Sequence, residues 1–135
     1  MQYYKLLAKL FYNSTINAPT PDIIIPMPLH KSKLKSRGFN QAEKLLFFHR
    51  VFANKNIINT RIATRIKETE SHSLLTKHHR QNNIIYAFKI LKNIKNLHIV
   101  IVDDIVTTGS TCNELAKALK LKGAKQVDIW CLMRA

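Results

Sequence analysis

Apolar residues in this chain follow two periods, one typical of buried strands and one typical of amphipathic helices. Runs rich in Ile and Val, bounded by polar or turn-forming residues, predict strands at residues 22–26, 57–62, 84–88, 98–103 and 127–133. Apolar residues at helical spacing predict helices at residues 1–12, 38–51 and 73–81, and a further helix in which Cys112, Leu115, Ala116 and Leu119 recur until Gly123 ends the pattern. Helices and strands therefore alternate, which predicts an α/β fold built on a parallel sheet.

The sequence between these elements contains no low-complexity linker, which predicts one domain over residues 1–135. Residues 1–21 are its N-terminal helix and connection. Residues 65–71 are polar and lack a period, so we expect a mobile stretch there. The first helix has one apolar face, which suits a helix packed on the sheet. A docking helix for a further module is the other interpretation of that face, and we favour packing.

The most informative segment is residues 99–111, where an apolar run ends in the paired carboxylates of Asp103 and Asp104. A turn rich in hydroxyls then precedes a helix, and its residues are Thr107, Thr108, Gly109, Ser110 and Thr111. Backbone N–H groups and hydroxyls at a helix start bind phosphate well. Acids beside a phosphate cradle predict a sugar phosphate, whose hydroxyls donate to the carboxylates, with a metal ion offsetting the charge.

This segment resembles the signature of type I phosphoribosyltransferases, whose ligand is phosphoribosyl pyrophosphate. The resemblance implies that Asp103 and Asp104 hold the ribose and serve any catalysis, that the turn holds the 5′-phosphate, and that Mg²⁺ accompanies the ligand. It also implies that the loop after the first strand contacts the pyrophosphate through Leu29, His30 and Lys31. A solvent-facing loop histidine is an equally acceptable interpretation of His30.

A second stretch, residues 22–41, narrows the resemblance through the string Arg-Gly-Phe-Asn-Gln at residues 37–41. It is similar to the ComF family of bacterial competence proteins, as are Arg65, Lys67 and Thr69 with the later Arg80 and Asn83. The resemblance implies a phosphoribosyltransferase-like (Rossmann-like) domain that serves DNA uptake in natural transformation and binds single-stranded DNA. It further implies a competence helicase or other uptake machinery as partner, with a cytoplasmic, peripheral location at the inner membrane.

The chain departs from the ComF pattern at several places. Family members usually begin with a cysteine-rich zinc module, whereas this sequence has only Cys112 and Cys131, too far apart for a zinc site built on cysteine pairs. We therefore expect no zinc and no disulfide. Lys67 stands where the family prefers Arg, His72 where it prefers Gln, and Tyr86 where it has Gly.

Charge is the main global feature, with 22 Lys and Arg against 8 Asp and Glu and a formal net charge of +14. Such a field attracts polyanions such as nucleic acid, although a lysine-rich solubilising coat would give the same sum. Four cations follow the first strand directly, and we expect a basic loop that faces the acid pair across a cleft. The predicted nucleic-acid contacts are Lys31, Lys33, Lys35, Arg37, Arg65, Lys67 and Arg80.

Two of the residues in the Arg-Gly-Phe-Asn-Gln string carry further expectations. Arg37 suits a phosphate clamp, because guanidinium binds phosphate in bidentate fashion, and a helix-start residue paired with Glu43 or solvent is the alternative. Phe39, like Trp130 and most other Phe residues, is predicted to be core, so base stacking should add little to DNA binding. No apolar run is long enough to span a membrane, and residues 1–12 lack the features of a signal peptide.

Three functions fit these patterns. The first is a ComF-like DNA-uptake protein with a retained sugar-phosphate site. The second is an active phosphoribosyltransferase that uses a nucleobase-like acceptor. The third is a sensor that binds phosphoribosyl pyrophosphate without turnover.

Overall fold

The computed structural model describes residues 2–53, 55–67 and 87–135. In chain order the elements are α1 (Gln2–Thr15), β1 (Ile23–Pro26), α2 (Lys31–Arg37), α3 (Gln41–His49), a 3-10 turn (Lys55–Ile57), β2 (Ala63–Arg65), β3 (Phe88–Ile90), β4 (His98–Val106), α4 (Ser110–Leu121) and β5 (Gln126–Arg134). The helix predicted at 73–81 lies outside the described residues, as does most of the strand predicted at 84–88. Within the described ranges, no helix has both the length and the apolarity to cross a membrane.

A three-stranded parallel sheet forms the centre of the molecule in the order β1-β4-β5, and β2 pairs with β3 in a separate antiparallel pair of strands. Strand β4 lies between its neighbours, with Ile23 opposite Ile99 and Ile99 opposite Val127. The uniformly apolar segments at residues 23–25 and 99–102 suit this position, because a central parallel strand is covered on both faces. The expectation of an α/β fold with a parallel sheet is confirmed.

The two faces of the sheet bury alternate residues of the same strands. Ile24, Val100 and Val102 pack under α1 and α3. Ile99 and Ile101 pack on the opposite side, with Leu115 of α4 and the β2–β3 pair. Because strand side chains alternate in direction, this parity continues to the acids at the end of β4 and decides which face each one reaches.

Residues 57–62 do not form the predicted strand. Ile58 makes a single bridge to Ile24, and the chain then turns, with the Arg61 N–H donating to the side-chain oxygen of Asn59 at 2.8 Å. An asparagine that hydrogen-bonds two residues ahead stabilises a turn in place of a strand. Strand β2 begins only at Ala63, so Arg65 belongs to a strand and not to the mobile stretch predicted from residue 65.

The basic loop predicted after β1 is also wrong, because these residues form helix α2. His30 caps its start, and Gly38 ends it in the left-handed conformation at φ 82°. Asn40 then caps α3, so the helix predicted at 38–51 begins at Gln41. Two short helices joined at a glycine replace a loop and one longer helix.

Candidate functional site

The paired acids lie near the carboxyl end of β4, the central strand, which continues to Val106 instead of ending at residue 103 as predicted. Ligands of open α/β sheets bind at this edge. Asp103 faces α4, and the Sγ of Cys112 is 3.9 Å from its Oδ2. Asp104 faces the opposite side and lines a cavity of about 220 Å³ with Tyr4 and Leu132. The pair therefore spans the end of the sheet and can reach groups on both of its faces.

Asp103 is held in an environment that opposes its charge. Its Oδ1 accepts the Asp104 backbone N–H at 2.9 Å. Burial, followed by hydrogen bonding to the Asp104 side chain and its negative charge, raises the pKa of Asp103 to about 7. At neutral pH this carboxyl therefore exchanges a proton readily, and a ligand that brings hydroxyl donors or a cation favours its ionised form.

The turn after β4 presents backbone donors at the start of α4, where the N-cap residue is a glycine and has no side chain to cap them. Gly109 stands at the N-cap of α4 at φ 79°, a left-handed conformation that favours glycine. The Thr108 hydroxyl oxygen accepts the Ser110 N–H at 3.3 Å and lies 2.9 Å from the Ser110 hydroxyl. Other N–H groups of the first turn of α4 can therefore donate to solvent or to an anion. Thr107 and Thr111 flank this turn, as the sequence predicts.

The loop after β1 is fixed beside the acids by the sheet. The Met27 N–H donates to the carbonyl of Val102, the residue before Asp103, at 2.8 Å. Leu29 and His30 come two and three residues after Met27, so they begin close to the acids. The Nδ1 of His30 accepts the Ser32 N–H at 3.3 Å, which makes His30 the cap of α2. His30 is therefore a helix cap, and the interpretation of His30 as a solvent-facing loop residue is wrong. Its Nε2 atom is the ring nitrogen that remains for a ligand.

Helix α2 divides the four cations that the sequence groups together. At about 100° per residue, Lys31 and Lys35 share one side of the helix, and Lys33 and Arg37 share the opposite side. Lys31, Lys35 and Arg37 are exposed, and Lys33 is half-buried. The structure therefore gives two basic edges at α2 in place of a single basic loop.

Arg65 is the cation whose position differs most from its expected one. The residue is only 8% exposed, and its guanidinium carbon lies 5.5 Å from the ring centroid of Phe88. Burial lowers the pKa of Arg65, and the negative charge of Asp103 opposes that change. Its charge therefore acts on the acid pair from inside the fold. Lys67 is exposed beyond the end of β2, and Arg80 lies outside the described residues, together with Thr69, His72, Asn83 and Tyr86.

Asn40, in the Arg-Gly-Phe-Asn-Gln string, is a structural residue of the site: its position before a helix suits either a cap or a ligand contact, and the structure makes it a cap. It is buried, its Oδ1 accepts the Ala42 N–H at 3.0 Å, and its Nδ2 donates to the Met27 carbonyl at 2.9 Å. It therefore caps α3 and ties that helix to the loop after β1. In the sequence, an asparagine placed directly before a helical repeat of apolar residues indicates such a cap.

The exposed aromatic residues correct a second expectation. Tyr3 is 69% exposed, Phe47 64% and Phe39 40%, so Phe39 is not the core anchor that the sequence predicts. Phe39 instead packs edge-on against Tyr4, with their ring centroids 6.3 Å apart. Trp130 does pack against the buried cluster under α1 and α3, as predicted.

Among the described residues, no group of three or more His, Cys, Asp or Glu side chains comes together as a ready-made metal site. Mg²⁺ usually binds through one or two carboxylates together with the phosphates of a substrate. The side chains of Asp103 and Asp104 face opposite sides of the sheet, so either one alone can supply a hard oxygen ligand beside a turn suited to phosphate.

Comparison with known proteins supports this architecture. Residues 50–135 match the family described as phosphoribosyl transferase domain. The chain is 36% identical over 134 residues to the DNA utilization protein YhgH of Escherichia coli O157:H7, covering 96% of this chain and 56% of that protein. It is 33% identical over 141 residues to Competence protein F of Haemophilus influenzae, covering 97% of this chain and 61% of that protein. The chain thus spans little more than half the length of these relatives, and the expected resemblance to competence proteins is confirmed.

A solved structure shares the fold of this chain. The glutamine phosphoribosylpyrophosphate amidotransferase of B. subtilis, complexed with ADP and GMP, superposes with a TM-score of 0.59 at 15% identity. The match covers 96% of this chain and 26% of that enzyme. The shared feature is therefore the fold, and the predicted phosphoribosyltransferase-like architecture is confirmed.

Proposed function

The chain belongs to the phosphoribosyl transferase domain family, and from that premise we propose that it binds phosphoribosyl pyrophosphate or a related sugar phosphate at the carboxyl end of β4. We propose further that it serves DNA uptake by binding single-stranded DNA on its basic surface. The observation that carries the first part is the order of groups at one sheet edge. Asp103 and Asp104 lie near the end of β4, and after Ile105 and Val106 complete the strand a hydroxyl-rich turn opens α4.

The chemistry of these groups supports a sugar phosphate over an inorganic anion. Two adjacent carboxylates repel an anion unless it carries hydroxyl groups or a cation toward them. The ribose of a sugar phosphate supplies the hydroxyls, and the turn at Thr107, Thr108, Gly109, Ser110 and Thr111 supplies donors for its phosphate. Leu29, His30 and Lys31 would meet the pyrophosphate from the loop after β1.

Magnesium suits this assignment. One of the two carboxylates would hold Mg²⁺ together with oxygens of the bound ligand, and the ion would neutralise the charge that gathers on the pyrophosphate. Arg65 is buried and its charge interacts with that of Asp103, so we assign Arg65 to the sugar-phosphate site and the surface cations to DNA, with Lys31 serving both ligands. Those cations are Lys31, Lys33, Lys35, Arg37 and Lys67.

The DNA-uptake role is supported by the names of the relatives and by charge. Proteins named Competence protein F and DNA utilization protein match nearly the whole of this chain. A formal net charge of +14 on 135 residues favours a polyanionic partner. A competence helicase or other uptake machinery is the protein partner we propose.

Ligand binding tests the first part directly. Titration of Mg²⁺–phosphoribosyl pyrophosphate by isothermal calorimetry should give saturable binding to the wild type. The double variant Asp103→Asn, Asp104→Asn should bind at least about tenfold more weakly, because each carboxylate hydrogen bond contributes about 1.5 kcal/mol or more. Glu114→Gln on α4 is a matched control, since Glu114 pairs with Lys117 at 3.1 Å and should not affect binding. Equal binding by the double variant would refute the assignment.

DNA binding tests the second part. Fluorescence anisotropy of labelled single-stranded DNA across a salt series should show affinity falling steeply, with a slope of about −0.7 per phosphate neutralised. Adding Mg²⁺–phosphoribosyl pyrophosphate then asks whether the two ligands compete. Displacement would put DNA at the acid pair and turn, whereas independent binding would separate the basic surface from that site. Absence of salt-dependent binding would refute the DNA role.

An active transferase is the second candidate, and the cavity of about 220 Å³ beside Asp104 favours it. Tyr3, Tyr4, Leu132 and Met133 give this cavity largely apolar walls, which suit a planar acceptor close to the ribose. Asp103 and Asp104 would stabilise the cationic character that develops at the sugar as pyrophosphate leaves. Pyrophosphate release upon addition of a panel of nucleobases would establish this activity. Ligand binding without release from any base would instead indicate a sensor.

A further inference from the structure

A wide groove lies beside α3, apart from the acid pair. Its volume is about 530 Å³, and its lining includes Leu34, Phe39, Lys44 and Phe47 of α3, Arg50 at the C-cap of α3, and Thr60. Asp103 and Asp104 are not part of its lining. The groove therefore needs an explanation beyond the sugar-phosphate site.

Aromatic rings are exposed in this groove to an extent that core packing does not explain. Phe47 is 64% exposed and Phe39 is 40% exposed. Phe47 is held edge-on against Phe48, with centroids 5.3 Å apart, and Phe48 itself packs toward the core under α1 and α3. One face of an oriented ring is thus available to a planar partner.

Cations accompany these rings. The Lys44 Nζ lies 4.4 Å from the Phe39 ring centroid and 4.9 Å from the Tyr4 ring centroid, so the ammonium is positioned among aromatic rings. Arg50 is exposed and follows Phe47 by three residues, which places both on one side of α3. Glu43 is the one acidic residue among the described residues that line the groove. Rings alternating with cations match a partner that alternates flat bases with phosphates.

The groove extends toward the loop that follows β1. A smaller cavity of about 140 Å³ is lined by Pro28 and Leu29 and shares Leu34, Asn40 and Thr60 with the groove. Leu29 is the start of the predicted pyrophosphate loop. A strand lying in the groove would therefore lead to the edge of the sugar-phosphate site.

We propose that this groove binds single-stranded DNA by stacking a base on Phe47 while Lys44 and Arg50 contact the flanking phosphates. The proposal rests on the proposed DNA-binding function and adds to it a stacking subsite, which the sequence alone argues against. Stacking on aromatic side chains is tolerant of sequence, because every base presents a flat face.

The test separates stacking from charge. Phe47→Leu keeps an apolar side chain and removes the ring, so its affinity for oligothymidylate should fall by about fivefold or more, with an unchanged salt slope. Phe47→Trp should restore wild-type affinity. Arg50→Gln should lower the salt slope by about 0.7, because one phosphate fewer is then neutralised by the protein. Leu121→Ala, at an 84% exposed position on α4, is the control for a change outside the groove.

An abasic oligonucleotide completes the design. Wild type and Phe47→Leu should bind it equally, because it offers phosphates without bases to stack. If both proteins bind oligothymidylate equally well, the stacking subsite is wrong while DNA binding stands. If the wild type shows no salt-dependent binding to either oligonucleotide, the proposed DNA-binding function itself fails.

Discussion

Replacing Asp103 with Asn should stabilise the protein at neutral and alkaline pH while impairing its ligand site. In the unfolded chain the carboxyl titrates near its ordinary pKa of 3.8, whereas burial and Asp104 raise the pKa of Asp103 in the folded protein to about 7. The folded state therefore holds a proton that the unfolded state has lost between these two values. Stability consequently falls as pH rises from about 4 to about 7, and the full penalty is present above pH 7.

The magnitude follows from the size of this shift. A shift of about three pKa units corresponds to about 4 kcal/mol at about 1.4 kcal/mol per unit. Partial solvent exposure at the end of β4 reduces this value, and we expect about 2–3 kcal/mol. The amide of the Asp103→Asn variant keeps an oxygen for the Asp104 N–H, which Asp103 accepts at 2.9 Å, so the substitution removes charge with little change of shape.

Urea unfolding of both proteins across this pH range measures the effect. The two should differ by less than about 1 kcal/mol at pH 4, and Asp103→Asn should be more stable by about 2–3 kcal/mol at pH 8. Asp104→Asn is the matched control, because removing its charge should lower the pKa of Asp103 and reduce the pH dependence. A variant no more stable than wild type at pH 8, or a difference independent of pH, would refute the assignment of a buried, charge-opposed carboxyl.

Three other substitutions or reagents probe the local geometry. Gly109→Ala should destabilise the protein by about 1–2 kcal/mol, because a Cβ at this position meets no atom within 4 Å and only the backbone strain at φ +79° remains. An unchanged melting temperature in thermal unfolding would contradict this. Asn40→Ala should lower the free energy of unfolding in urea by about 2 kcal/mol, because it removes the cap of α3 and the hydrogen bond to the Met27 carbonyl. Asn40→Asp should not restore stability, because a buried carboxylate keeps the cap but cannot donate to that carbonyl. Burial, and then the charge of Asp103, raises the pKa of Cys112 to about 12. Iodoacetamide at pH 8 should therefore label the half-buried Cys131 before Cys112, as followed by mass spectrometry. Equal labelling of the two cysteines would contradict this prediction.

The sheet and the acid-bearing segment could be predicted from the sequence because their signals are strong and local. An uninterrupted run at residues 99–102 has few alternatives to a central parallel strand, and Gly109 followed by a helical period fixes the turn. Once the strand direction and the parity of its residues are known, the placement of Asp103 and Asp104 at one sheet edge follows directly.

The parts that were predicted wrongly depend on contacts that a local pattern does not carry. Helix α2 has no buried residue and few apolar ones, so its amphipathic period is weak, and it depends on a histidine cap and a left-handed Gly38. The polar, aperiodic sequence at residues 65–71 predicts a mobile stretch that includes Arg65, whereas the structure buries Arg65 in β2, where its charge interacts with that of Asp103. The exposure of Phe47 could not be predicted from the sequence either, because an apolar residue in a short amphipathic helix is normally part of the core.

The pairing of β1 with β4 joins residues that are far apart in the chain, with Ile23 opposite Ile99. Strand β4, helix α4 and strand β5 are by contrast consecutive, so this unit can form before the long intervening segment closes. The acid pair and the phosphate-type turn lie wholly within the consecutive unit, whereas His30 and Lys31 arrive only when β1 docks. The site should therefore be completed only when β1 pairs with β4, because closing the long intervening segment is what brings His30 and Lys31 to the sheet edge that carries the acids.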